Sequence, residues 1–309
     1  MTLTKKTLVG LLVCLPVMAA LVACSPLGTI NALSSGRASR VSGDIAYGAS
    51  PRQRLDIYAP RLGRAGAPVV VFFYGGNWTE GGRGDYAFVG HALASRGIVA
   101  VIADYRLYPE VHYPGILDDA AAAVAWTARE IGRYGGDPTR LFVMGHSAGA
   151  YNAAMVALDP SLLAKHHLQP SDLRGWIGLA GPYDFLPIEN KTVQPVFYFP
   201  DTPRASQPIE HVSAASPPAL LIAAQNDKVV NPVRNTGAMA NKLRGSGVAV
   251  KEYYFGNVSH AALVGSLAGP LRMLAPTLDT VLHFIDSDGG RIAGEHPNVS
   301  GALPATPRP

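Results

Sequence analysis

Leu141-Phe142-Val143-Met144-Gly145-His146-Ser147-Ala148-Gly149-Ala150-Tyr151-Asn152-Ala153-Ala154 is the stretch on which the fold turns. Four apolar residues read as a buried strand, the G-x-S-x-G pentapeptide as a tight turn, and the small residues behind it as a helix. A strand-to-helix turn of this kind holds its serine in a strained backbone conformation with the hydroxyl exposed. Side chains at the two flanking glycines would collide with neighbouring elements. A serine that only caps the following helix is the plainer alternative.

Outward from this turn, strands and helices alternate. Leu55–Tyr58 reads as an early strand, and Val69–Tyr74 as a continuous apolar run of the buried parallel type. Further strands are predicted at Ile98–Ala103, Leu141–Met144, Trp176–Leu179, Ala219–Ala224 and Lys251–Phe255. Helices are predicted near Tyr86–Ser95 and over the alanine-rich Leu117–Arg133. Such alternation implies one α/β domain, a mostly parallel sheet with helices on both faces. Its chemistry then belongs at the carboxyl ends of the strands.

A serine hydroxyl needs a base to take its proton, and the base needs a carboxylate to orient it. Asp227 follows the apolar Leu220-Leu221-Ile222-Ala223-Ala224 and precedes a turn. Asp184, in Gly181-Pro182-Tyr183-Asp184, is the rival, with an Asx-type turn or helix cap as its plain alternative. His260 stands in the polar loop after the last strand, where chain order and strand-end position both ask for a histidine. His146 flanks the serine and is expected to point away from it along the elbow. After Val69–Tyr74 comes Gly75-Gly76-Asn77-Trp78, whose glycines let backbone amides approach a substrate oxygen. The amides of Gly76, Asn77 and Ala148 are the expected oxyanion donors, a plain Gly-Gly turn being the alternative.

Together Tyr74–Trp78, Asp104-Tyr105-Arg106, Gly145–Gly149, Pro217-Pro218-Ala219-Leu220-Leu221 through Asp227, and His260 resemble the α/β-hydrolase esterases. The pattern is similar to the carboxylesterase and arylformamidase-like branch, near the hormone-sensitive-lipase-like group, over roughly Ala46 to Ile285. That resemblance implies the α/β-hydrolase fold with an eight-stranded, mostly parallel sheet. It also implies catalysis by Ser147, Asp227 and His260 through an acyl-enzyme, with no metal and no cofactor. One departure is Tyr74, where the family's oxyanion motif usually opens with histidine. The expected reaction is hydrolysis of carboxylic esters of small or medium substrates. The alternatives are an arylformamidase-type amide hydrolase or a catalytically inactive envelope binding protein. The Pro- and aromatic-rich stretch from Tyr183 to His211 reads equally as a cap or as a stiffened surface excursion.

The amino terminus concerns compartment. Lys5 and Lys6 precede an apolar run from Leu8 to Ala23 that is short for a membrane span and suits a secretory signal. It ends in Leu21-Val22-Ala23-Cys24, which resembles the bacterial lipoprotein box, with Cys24 as the acylated residue. Residues 1–23 are thus the expected signal, 24–40 a tether, 41–286 the hydrolase domain, and 287–309 a disordered tail. The expected location is the cell envelope, on a lipid anchor in the membrane. The two cysteines, Cys14 and Cys24, both fall in or beside the leader, so the domain has no disulfide and no cysteine site. The net charge of +4 overstates the basicity. Without Lys5 and Lys6 the chain holds 24 basic and 22 acidic side chains and no basic run. Nucleic-acid binding is disfavoured on those grounds.

Overall fold

The computed structural model describes residues 26–34, 39–62 and 66–289. The expected signal, Cys24, and the expected tail from residue 290 onward lie outside the described residues. Eight strands form one sheet: β1 (Ser39–Ala46), β2 (Arg54–Pro60), β3 (Ala67–Phe73), β4 (Val99–Ala103), β5 (Gly136–His146), β6 (Gly175–Leu179), β7 (Ala219–Ala224) and β8 (Val250–Phe255). Their order across the sheet is β1-β2-β4-β3-β5-β6-β7-β8. The β1–β2 and β2–β4 pairs are antiparallel, and every other pair is parallel. This is the α/β-hydrolase arrangement.

The apolar runs account for the sheet. β4, β6 and β7 are buried at every residue, as strands must be when helices cover both faces. The eight helices described are α1 (Pro26–Ser34), α2 (Ala87–Ala94), α3 (Gly115–Glu130), α4 (Ala148–Leu158), α5 (Pro160–Ala164), α6 (Ala238–Gly245), α7 (His260–Gly265) and α8 (Thr277–Asp286). α3 and α4 pack on one another, while Arg96, just past α2, pairs with Asp279 of α8 at 3.5 Å. Because β3 to β8 run parallel, the residues that follow β3, β5, β7 and β8 emerge at one edge. Gly75, Ser147, Asp227 and His260 are brought there from distant parts of the chain.

Two boundaries differ from expectation. The stretch read as a tether contains α1, and that helix is docked. Asn31 Nδ2 donates to the carbonyls of Gly84 and Asp85 at 2.8 and 3.0 Å, and its Oδ1 accepts from the Phe88 amide at 2.9 Å. Ile30 packs against the core. Much of this docking runs through the Asn31 amide, which no hydrophobic period signals. β1, the eighth strand, begins at Ser39 and is exposed from Arg40 to Asp44, so it has no apolar alternation to read. At the other end the chain is still attached at 287–289. Ser287 is buried and Asp288 pairs with Arg174 at 3.3 Å.

Candidate active site

The turn around Ser147 is built by close approach. A Cβ on Gly145 would run into the Gly149 carbonyl, and one on Gly149 into the Phe73 carbonyl of the neighbouring strand. Ser147 has φ 54° and ψ −123°, a region that non-glycine residues avoid. It is held there by its amide, which donates to Leu179 O at 2.9 Å. Strain of this kind is of the order of 1–3 kcal/mol and persists only where the surroundings over-determine it.

His260 lies between the serine and a carboxylate. Its Nε2 is 2.9 Å from Ser147 Oγ, and its Nδ1 is 2.7 Å from Asp227 Oδ2. A carboxylate accepts only, so Nδ1 carries the proton and Nε2 is free to take one from the hydroxyl. The other carboxylate oxygen, Asp227 Oδ1, accepts from the amides of Val229 and Val230 at 2.8 and 3.1 Å. Burial pushes this carboxyl up. The His260 hydrogen bond and charge, with the two amides, outweigh that and hold it below the usual carboxylate range. Asp184 has another partner altogether: it is 40% exposed and faces Arg234 at 3.6 Å.

The oxyanion loop comes next. Ala148 is the first residue of α4, so its amide has no acceptor within the helix. Asn77 and Ala148 line the same cleft as Ser147. Gly76 turns the loop, its carbonyl accepting from Thr79 and Glu80 at 2.9 and 3.1 Å. Gly76, Asn77 and Trp78 all have positive φ, at 127°, 52° and 61°. Two of these are not glycine, so the loop is strained immediately beside Ser147.

Tyr74, the departure from the expected histidine, is what braces this loop. Its hydroxyl donates to Asp104 Oδ1 at 2.9 Å and accepts from Arg52 at 2.7 Å. The Tyr105 hydroxyl donates to the Tyr74 carbonyl at 2.8 Å, and the two rings stack at 4.8 Å. Arg83 then ties Asp104 to Asp56 and Asp44. The backbone here is supported by a phenol in a charged cluster.

His146 differs from expectation. Its ring does not lead away from the site but lies 4.9 Å from that of His260, with Nε2 donating to the His260 carbonyl at 3.0 Å. Its Nδ1 is buried without a partner. Burial, followed by the neighbouring His260, pushes its pKa down to about 3. The unfolded chain takes up a proton at this side chain near pH 6.5, and the folded chain does not until far lower pH. The stability contributed is therefore complete above about pH 6.5 and lost as pH falls toward 3. Urea unfolding at pH 7.0 and 4.5 should show the wild type losing roughly 2 kcal/mol more than His146→Gln, which retains a donor. Equal losses in the two proteins would refute the assignment.

The cleft itself has a volume of about 200 Å³. Its lining comes from the segments 182–193 and 229–235, and from Asn77 and Trp78. The first part of the Pro- and aromatic-rich stretch thus lines the site. Farther along, Phe197 is buried edge-on to Trp78 at 4.9 Å, while Tyr198 and Phe199 are exposed. Among the described residues, no group of three or more His, Cys, Asp or Glu is placed to hold a metal ion. Chemically, the arrangement can activate a serine oxygen and receive negative charge on an oxygen beside it.

The model of the BD-FAE family matches residues 55–243. The chain belongs to the BD-FAE family. The BD-FAE match takes in Ser147 and Asp227 and ends before His260. Isoprenylcysteine alpha-carbonyl methylesterase ICME of Arabidopsis thaliana is 27% identical over 275 residues, covering 81% of this chain and 64% of that protein. Esterase LipC of Mycobacterium tuberculosis is 30% identical over 222 residues, covering 65% of this chain and 54% of that protein. The chain spans between 36% and 64% of the length of the plant relatives it matches. In fold it is similar to Esterase B of Lactobacillus rhamnosis bound to a tributyrin phosphonate, with a TM-score of 0.73 and 19% identity. That similarity covers 94% of this chain and 97% of the other.

Proposed function

We propose that this BD-FAE family member is a serine esterase that hydrolyses carboxylic esters through an acyl-enzyme. The single observation that carries this is the unbroken Ser147–His260–Asp227 relay, whose serine lines a cleft. In the proposed cycle His260 Nε2 takes the Ser147 proton as the oxygen attacks the ester carbonyl. The amides of Asn77, Ala148 and Gly76 stabilise the oxyanion. Asp227 holds the Nδ1–H tautomer and stabilises the imidazolium. His260 then protonates the leaving alcohol and activates water to free the acid. Esterase names among the relatives support the ester class. A cleft smaller than the roughly 300–1,000 Å³ of drug-sized sites supports small or medium substrates.

Labelling by a fluorophosphonate, followed by a panel of p-nitrophenyl esters and an N-formyl aryl amide, tests the proposal. Labelling with turnover of esters is expected. Turnover of the formamide in preference to every ester would favour the arylformamidase alternative. Absence of labelling would leave only the inactive binding protein.

The same proposal places the enzyme in the bacterial cell envelope, with Cys24 as the lipid-bearing residue. Docking of α1 supports close seating on the membrane, since only Ser25 separates Cys24 from the helix that begins at Pro26. Two residues reach at most about 7 Å. Cys24→Ser should move the protein from the membrane fraction to the soluble fraction of cells that process lipoproteins. An unchanged distribution would overturn the anchor without touching the esterase assignment.

A further inference from the structure

Trp78 follows the oxyanion residue Asn77, has φ 61°, and is only 2% exposed although it lines the cleft. Its indole is wedged from several sides. Tyr151 and Phe197 meet it edge-on at 5.0 and 4.9 Å, and Phe185 stacks at 6.1 Å. Nε1 donates at 3.0 Å to Oδ1 of Asn152, a fully buried residue of the nucleophile helix. The ring therefore stands as a rigid partition between the cleft and the core behind it.

Which part of an ester the cleft receives follows from the proton transfers. The leaving oxygen must come within hydrogen-bond reach of His260 Nε2 to be protonated. The cleft is lined by Ser147, Asn77 and Ala148 but not by His260. With the carbonyl carbon at Ser147 Oγ and its oxygen toward the loop amides, the alcohol lies on the His260 side. The acyl chain then takes the cleft.

We infer that Trp78 is the residue that sets acyl-chain length, its indole closing the end of the acyl cleft. The inference rests on the esterase assignment above. Each methylene that an enlarged cleft can take from water is worth about fourfold in kcat/KM. Trp78→Ala adds to the cleft the space that the indole fills. The ratio of kcat/KM for p-nitrophenyl octanoate over p-nitrophenyl butyrate should then rise roughly ten- to a hundredfold. A ratio belongs to the active molecules alone, so partial unfolding of the variant does not move it. Trp78→Phe fills most of the space without the Nε1 donor and should keep the wild-type ratio, separating occupied volume from the hydrogen bond to Asn152. Should Trp78→Ala fail to fold, Trp78→Leu should raise the ratio in the same direction. The alcohol side supplies the control: ratios across butyrate esters of methyl to octyl alcohols should stay unchanged.

An unchanged acyl ratio in a folded Trp78→Ala or Trp78→Leu would overturn the inference and leave the esterase standing. So would an equal shift in Trp78→Phe, or a shift confined to the alcohol series. A wild type that turns over no ester overturns both.

Discussion

Ser147→Ala should lower kcat/KM for p-nitrophenyl esters by about 10⁶ and abolish fluorophosphonate labelling, because it removes the one oxygen that forms the acyl-enzyme. The remaining groups do not substitute for it. His260 and the loop amides can still bind and polarise an ester, so a residual rate of about 10³–10⁴ over water is expected. Folding should be little affected. Alanine has the same Cβ and the same positive-φ strain at this position, and the substitution removes only the hydroxyl that lies 2.9 Å from His260 Nε2. Near-UV circular dichroism should match the wild type, with a Tm within a few degrees. Activity within tenfold of wild type in a well-folded variant would mean that another group is the nucleophile.

Asp227→Asn is expected to cost about 10⁴ in kcat with a much smaller change in KM. The amide can turn its NH₂ toward His260 Nδ1, which forces the proton onto Nε2, where the serine proton has to go. It also withdraws the negative charge that stabilises the imidazolium. Asp184→Asn is the matched control and should change kcat by less than about tenfold, since Asp184 faces Arg234 and not the imidazole. Comparable losses in the two variants would refute the assignment. A stability signature accompanies the first variant. The folded Asp227 carboxyl titrates below its unfolded range, so its contribution is present above about pH 4 and fades as pH falls through the lowered value. Wild type and Asp227→Asn should therefore differ in urea midpoint at pH 7 and converge under strongly acid conditions.

Much of this was legible along the chain, and the reasons are local. Continuous apolar runs such as Val69–Tyr74 and Ala219–Ala224 can be satisfied only as strands buried on both faces. Gly145 and Gly149 betray the elbow because backbone oxygens occupy the space a side chain would need. Chain order then leads from Ser147 to Asp227 and His260. What stayed hidden rests on single polar side chains acting across long separations. Asn31 docks α1, Tyr74 and Asp104 brace the oxyanion loop, and Asn152 holds the Trp78 indole. None of these has a periodicity.

His146 marks the division most clearly. Its place beside the serine is written in the pentapeptide, yet its partner is a carbonyl 114 residues away, and only the convergence of β5 and β8 at one sheet edge brings them together. Residue type alone carried the alternating strands and helices, the tight serine turn and the candidates for nucleophile and base, because apolar period, glycine sterics and acid–base chemistry act locally. The 2.7 Å contact of Asp227 with the imidazole, the brace beneath the Gly75–Trp78 loop and the walls of the cleft above the serine appear only in three dimensions. Those depend on distances between groups that burial, not sequence proximity, holds together.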